Sequence, residues 1–416
     1  MVVIADDLTG ANDTAIQYRK FGVSSIVNVG LSGSQNPDSF KGYDVISVNT
    51  DSRALTPQAA YDVVYKTCRL FCSSGNTAVY KKTDSVLRGN PGAELAAVMD
   101  ALNCSLAFVS SAYPENGRTI RDGILTAGRN RIDAVKCIAT DMNRGVCSVS
   151  LAVVQQGASA MEQFIADNRK KNAEVFVFDA CTDADLESIY SVASGYTEPY
   201  VLCGSAGLAQ FDAKKLSCSV KHASTLNVAE KEGIILAVTG SRNIETRAQV
   251  TKAAEDFSIP CITMDKNLVA QGKADAARTS CMAKIEKRIA AGDSVVLLAV
   301  SSLFEDFHMV LKDSEENYRI AEELACNLGK LANAVYEQFP VQAIIANGGD
   351  TTMQLCRQLG AYGIEPVAEV TPGTPMGVFI GGKADRIPVI TKSGGFGSES
   401  VLTESIHFLQ NLKNRK

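Results

Sequence analysis

Short apolar runs alternate along this chain with longer segments whose apolar positions recur at helical spacing. Val2–Ala5, Ile26–Val29, Val45–Val48, Val79–Lys81 and Leu106–Val109 predict buried strands. Pro57–Phe71 and Pro91–Leu102 predict helices that open on proline, whose missing N–H costs little in a first turn. Thr9–Phe21 predicts another, with Gly22 where a left-handed residue closes a helix. Strands that are apolar throughout and alternate with helices predict a largely parallel sheet flanked by helices.

The pattern fades between Arg129 and Gly157 and returns at Val175–Phe178 and Val201–Cys203. After a polar stretch from Lys214 to Lys231, a second series begins: Ile234–Thr239, Ile259–Met264, Val295–Val300, Ala343–Ala346 and Val378–Ile380. Tyr318–Phe339 reads as a long helix between two of these strands. The expected fold is therefore α/β with two domains, 1–228 and 229–416, each a largely parallel sheet flanked by helices. A chain of 416 residues is also too long for one ordinary core.

Composition narrows the function. With 46% hydrophobic and 21% charged residues the chain reads as globular, and a net charge of -5 offers no footprint for nucleic acid. No apolar run reaches the roughly 20 residues of a membrane span, and acids interrupt the N-terminal run, so a cytoplasmic location is expected. Cysteines such as Cys104, Cys203, Cys261 and Cys281 sit in apolar segments and read as small buried hydrophobes. His222, His308 and His407 are far apart, and no Cys-x-x-Cys pair occurs, which disfavours a zinc site. The metal ligands stay unassigned. The oligomeric state stays open, a homodimer included.

The first chemistry-bearing motif is Ala5–Ala15, ADDLTGANDTA. It places Asp6 and Asp7 where a buried strand ends, followed by a Thr-Gly turn and a helix start. Ligands of open α/β sheets bind at such strand ends, and two acids there are costly unless they hold a cation, accept hydroxyl protons or cap the helix. One cap needs one side chain, so the pair exceeds what capping by Asp7 or Thr9 explains. Asp13 reads equally well as a surface acid.

Further strand ends carry polar loops. Lys81–Asn90, KKTDSVLRGN, combines Lys82, Thr83, Asp84, Ser85, Arg88 and Asn90; strand alternation sends Lys81 and Lys82 to opposite faces. Lysine with arginine suits a carboxylate, and Ser, Asp and Asn suit vicinal hydroxyls. Asn116 and Arg118 follow the strand at Leu106–Val109, and Arg53 closes Asn49–Arg53. A plain solvated turn explains any one of these loops, but not their recurrence at one topological end.

The second half carries glycine turns. Asn347–Thr352, NGGDTT, lies between a strand and a helical segment, so Gly348, Gly349 and Thr351 suit a phosphate, and Asp350 a water-held magnesium ion or a helix cap. Ser393–Gly397, containing Gly394 and Gly395, and Thr239–Asn243, containing Ser241, also join strand to helix. Pro372–Gly377 reads as a further glycine-rich turn. The Walker sequence is absent, and so is a dinucleotide fingerprint after the first strand of either half.

Taken in order, ADDLTGA at Ala5–Ala11, DSR at Asp51–Arg53, KTDSVLRGN at Lys82–Asn90 and AYPENGRT at Ala112–Thr119 resemble the four-carbon acid sugar kinase family. GSAGLA at Gly204–Ala209, GGDT at Gly348–Thr351 and KSGGFG at Lys392–Gly397 extend that resemblance over essentially the whole chain. It implies a sugar-acid-binding N-terminal domain, a nucleotide-binding C-terminal domain and a reaction cleft between them. By resemblance Asp7, Arg53 and Lys82–Ser85 contact the acid, and Ser241, Gly348–Thr351 and Gly394 contact ATP. Aspartate stands at 350 where the family usually has glutamate, and Ser241-Arg242-Asn243 stands where it has Ser-Cys-Ser.

The expected activity is transfer of the ATP γ-phosphoryl group, with Mg²⁺, to a hydroxyl of a small sugar acid, the terminal O4 being favoured. Asp6 or Asp7 would accept the hydroxyl proton. A non-catalytic sugar-acid-binding regulator and an NAD-dependent oxidoreductase are the alternatives. Residue chemistry alone reaches a protein that binds an anionic polyol and a nucleotide; the word kinase comes from the resemblance.

Overall fold

A computed structural model describes residues 1–30, 36–72, 78–220, 228, 231–305 and 315–412. His222 and His308 fall outside them. The chain divides into two compact units, Met1–Ser224 and Thr225–Lys416.

The strands of the first unit are β1 (Val2–Ala5), β2 (Ser25–Asn28), β3 (Val45–Asn49), β4 (Val79–Lys82) and β5 (Ala107–Ser110), then β6 (Arg118–Arg121), β7 (Ile124–Ala127), β8 (Asn130–Asp133), β9 (Gly145–Val149), β10 (Ala173–Phe178) and β11 (Val201–Gly204). The main sheet runs β2-β3-β1-β4-β11-β5-β10-β9, with parallel pairing throughout. The chain leaves β1 for β2 and β3 on one side, then returns to β4 on the other. This reversal is a topological switch point, where the ends of β3, β1 and β4 lie side by side.

The helices of this unit are α1 (Leu8–Lys20), α2 (Pro57–Phe71), α3 (Pro91–Ala101), α4 (Ala134–Ala139), α5 (Leu151–Gln155), α6 (Ala158–Arg169), α7 (Asp183–Gly195) and α8 (Ala206–Leu216). α1 packs on α8, and α2 packs on α3. α1 is buried from Leu8 to Tyr18, so Asp13 is a buried acid and not a surface one. Tyr18 donates to Asp212 on α8 at 2.7 Å.

The stretch from Arg129 that gave no clear pattern holds part of an antiparallel meander, β6-β7-β8, and then α4, β9 and α5. Its four-residue strands are half exposed, which erases the apolar runs that mark buried strands. The Thr-Gly turn expected after Asp7 is also absent. Thr9 and Gly10 lie inside the first turn of α1, because Asp7 accepts the Gly10 N–H at 2.8 Å and starts the helix earlier.

The second unit contains β12 (Ile234–Thr239), β13 (Cys261–Met264), β14 (Val295–Val300), β15 (Val341–Asn347), β16 (Gly363–Thr371), β17 (Thr374–Ile380) and β18 (Pro388–Lys392). They run in the order β13-β14-β12-β15-β18-β17-β16, parallel as far as β18 and antiparallel beyond it. Its helices are α9 (Ile244–Asp256), α10 (Lys266–Ala270), α11 (Ala274–Ala290), α12 (Glu315–Gln338), α13 (Gly349–Leu359) and α14 (Val401–Gln410). The glycine-rich turn at Pro372–Gly377 is the β16–β17 hairpin bend and the start of β17, with Gly373 at φ 77. Among the described residues no helix is long and apolar enough to cross a membrane.

Candidate active site

In the first unit Asp6, Asp7 and Asp84 gather around one guanidinium. Arg53, in the loop after β3, donates from Nε to Asp6 Oδ2 at 2.7 Å and from Nη1 to Asp7 Oδ2 at 2.8 Å. Its Nη2 lies 2.8 Å from Asp7 Oδ1 and 3.5 Å from Asp84 Oδ1. The backbone helps aim it, since the N–H groups of Ser52 and Arg53 both donate to the Asp6 carbonyl. Arg88 then grips Asp84 with two bonds, from Nε at 2.8 Å and Nη2 at 2.9 Å. Arg118 Nη1 donates to Ser85 Oγ at 2.7 Å, and Thr83 Oγ1 lies 3.3 Å from Ser111 Oγ.

The two lysines that end β4 are both buried and do different things. Lys81 pairs with Glu94 of α3 at 2.8 Å, with both side chains essentially inaccessible. Its ammonium also donates to the carbonyls of Lys82 and Ile4, tying β4 to β1. Glu94 in turn accepts from Ser52 Oγ at 2.7 Å, next to Arg53. Lys82 reaches toward the start of α1. A Cβ added at Gly10 would lie 2.9 Å from Lys82 Nζ and 2.7 Å from Asp7 Oδ1, so the motif needs glycine for close approach.

Two predicted residues stand apart. Asn90 turns back to the Leu55 carbonyl at 2.9 Å and braces the Arg53 loop. Asn116 ends a single turn, Pro114–Asn116, and among the described residues its Nδ2 has no partner.

Electrostatics separate the two adjacent acids. Burial pushes the Asp6 carboxyl up, but the Arg53 and Lys81 cations more than offset it and hold Asp6 below its ordinary value. At Asp7 burial, joined by the Asp6 charge, wins over Arg53, and the carboxyl sits above its ordinary value. Asp84 also pays for burial, yet Arg88 and Arg53 bring it far below the usual carboxylate range. Burial lowers Arg118, which would gain from an added anion.

In the second unit three glycine-bearing loops leave three adjacent strands, β12, β15 and β18. A Cβ at Gly394 would lie 2.0 Å from Ser241 Oγ and 2.8 Å from Asn243 Nδ2. One at Gly348, where φ is 116, would lie 3.3 Å from Thr351 Oγ1 and 3.5 Å from the Ser241 nitrogen. Ser241, Gly348, Thr351 and Gly394 therefore converge, while Gly395 stands near Asn243. Asp350 is exposed in the first turn of α13. Sequence reasoning gave no role to Glu94, Thr246, Asn347 or Lys392. Glu94, Asn347 and Lys392 are polar residues in, or at the end of, an otherwise apolar strand or helix, and that is the signal that marks them; Thr246 sits in the polar helix α9 and carries no such mark.

This arrangement has known counterparts. Residues 1–136 and 128–211 match the family model of a sugar-binding N-terminal domain, and residues 236–402 that of a nucleotide-binding C-terminal domain. A D-threonate kinase of Salmonella typhimurium is 31% identical over 438 residues, covering 99% of both chains. The chain belongs to the four-carbon acid sugar kinase family. It is a sugar acid kinase.

Other members of this family diverge further. A D-erythronate kinase of Heliobacterium modesticaldum is 27% identical, covering 98% of this chain and 97% of its own. A 3-oxo-tetronate kinase of Haemophilus influenzae is 24% identical, covering 95% and 97%. The fold also matches a crystal structure of a Haemophilus influenzae protein with TM-score 0.70 at 22% identity, covering 99% of this chain and 100% of that one.

Proposed function

We propose that this enzyme transfers the γ-phosphoryl group of ATP to the terminal hydroxyl, O4, of a four-carbon sugar acid such as a threonate or an erythronate. The observation that carries the proposal is the cluster of Asp6, Asp7, Arg53 and Asp84 at neighbouring strand ends of the unit that matches a sugar-binding domain. Lys82, Arg88 and Arg118 would receive the substrate carboxylate, with arginine suited to a two-point grip. Thr83, Asp84 and Ser85 would bind its hydroxyls.

Asp7 is the proposed proton acceptor. Its raised carboxyl value makes it the stronger base of the pair, and its side chain is 19% exposed where that of Asp6 is 3%. Asp6 would orient Arg53, which keeps the pair ionised until the hydroxyl arrives.

ATP would bind at Ser241, Gly348, Gly349, Asp350, Thr351, Gly394 and Gly395. The absence of side chains at the converging glycines supports a close approach of phosphate to backbone N–H groups. A magnesium ion neutralises charge on the transferring phosphates when bound. Asp350 would hold it through water, since Mg²⁺ favours one or two carboxylates plus phosphates over a protein cage. Direct transfer also demands that acid and nucleotide meet in line, so the proposal includes one reaction site common to both. The cysteines are all unpaired, which supports work in the reducing cytoplasm.

The test of the base is Asp7→Asn. Turnover should fall by about 10²–10⁴-fold while nucleotide binding and the unfolding temperature hold. Turnover within a few-fold of the parent enzyme would remove Asp7 from that role.

A further inference from the structure

We infer that Lys392 and Asn347 form the buried floor of a polyphosphate site, with Lys392 supplying a cation whose counter-charge is the ligand's. The inference deepens the nucleotide reading above and rests on it. Lys392 ends β18 and is 3% exposed, yet among the described residues no carboxylate pairs with it. A buried ammonium without an anion is costly, so the missing charge needs a source.

The local backbone shows how that source would be held. Lys392 Nζ donates to the carbonyls of Ser393 at 2.7 Å, Gly394 at 3.3 Å and Phe396 at 2.9 Å. Thr246 donates to the Gly394 carbonyl at 2.8 Å, and Gln249 to those of Phe396, Gly397 and Ser398 at 3.0, 3.3 and 3.1 Å. In a trans peptide the N–H points opposite to the C=O. Carbonyls gathered onto Lys392 and Thr246 therefore turn the N–H groups of Gly394, Gly395 and Gly397 away from them, as an anion nest requires.

A second observation is independent of the loop. Asn347 is 1% exposed, and among the described residues neither its Oδ1 nor its Nδ2 has a partner. Strand register sets Asn347 opposite Lys392 on one side and opposite Thr239 on the other. A buried amide left unpaired is destabilising unless something else completes it.

Burial brings the Lys392 ammonium down to about 7, against a small opposing pull from Glu245 in the first turn of α9. An arriving phosphate restores the proton. Nucleotide binding above neutral pH is thus accompanied by proton uptake, and affinity falls as pH rises through 7 and beyond.

The experiment is calorimetric titration of the full chain with Mg-ADP at pH 8, in two buffers of different ionisation enthalpy. The parent protein should take up close to one proton per ADP. Lys392→Met should take up none and bind ADP at least tenfold more weakly, with unchanged heat for D-threonate or D-erythronate. Asn347→Leu should also weaken ADP at least tenfold, while its unfolding temperature holds or rises because an unpaired amide is gone. ADP binding by the parent without proton uptake overturns the inference alone, even if the Lys392 variant fails to fold. Absence of any ADP binding by the parent overturns the nucleotide reading as well.

Discussion

Replacing Arg53 by methionine tests the electrostatic core of the site. The change keeps an unbranched side chain of similar reach and removes the guanidinium that lies 2.7 Å from Asp6, 2.8 Å from Asp7 and 3.5 Å from Asp84. A unit-charge pair about 4 Å apart is worth about 4 kcal/mol at an effective dielectric near 20. Losing that attraction raises the pKa of each neighbouring carboxyl, less what Lys81 and Lys82 still supply. Two adjacent carboxylates then repel each other without the cation between them, and protonation of one is favoured.

Breaking a buried pair costs about 3–5 kcal/mol, and about 2–4 °C is lost per kcal/mol in a unit of this size. The loss should therefore be about 6–20 °C at pH 8, read by differential scanning calorimetry. The size of the loss is pH-dependent. In the parent, Asp6 lies below its ordinary value, so its contribution is present above that value and fades as pH falls. In the variant the carboxyls lie above their ordinary values, so stability is lost as pH rises through them. The gap between parent and variant should widen from pH 5 to pH 8. An equal gap at both values, or one under about 2 °C at pH 8, would refute the reasoning.

Other substitutions probe the supports. Lys81→Met leaves Glu94 as an unpaired buried carboxylate beneath Asp6 and should cost about 3–5 kcal/mol, whereas Lys81→Met with Glu94→Leu should recover much of the loss; urea unfolding of the two variants decides it. Gly394→Ala sets a methyl 2.0 Å from Ser241 Oγ and should weaken ATP binding at least tenfold while leaving sugar-acid binding intact, as separate titrations would show.

How much of this was legible follows from what each sequence signal reports. β12, β14 and α2 appear with their predicted ends, because fully buried parallel strands and a Pro-led helix have contrasting patterns. Asp6, Asp7 and Arg53 could be picked out because each follows an apolar strand, and the topology then brings those strand ends together. The β6–β8 meander was not legible, since its short, half-exposed strands lack an apolar run. A hairpin bend and a strand-to-helix turn both call for glycine, so Pro372–Gly377 gave no hint of which it was. Lys81 and Lys82 show a further limit. Alternation sets them on different faces but does not reveal that both are buried, or that Lys81 finds its acid on α3. Lys392 was not legible for the same reason: that no carboxylate pairs with it among the described residues is a three-dimensional fact.

The central claim is that this chain phosphorylates a four-carbon sugar acid at its terminal hydroxyl, and product analysis tests it most directly. A panel of threonates, erythronates and 3-oxo-tetronate would be incubated with Mg-ATP, ADP release followed, and the product examined by proton-coupled ³¹P NMR. The account predicts turnover of at least one of these acids and a phosphomonoester signal split into a triplet by the terminal CH₂. A doublet from a secondary carbon would contradict O4 as the acceptor. No acid-dependent ADP release from folded enzyme would contradict the account as a whole.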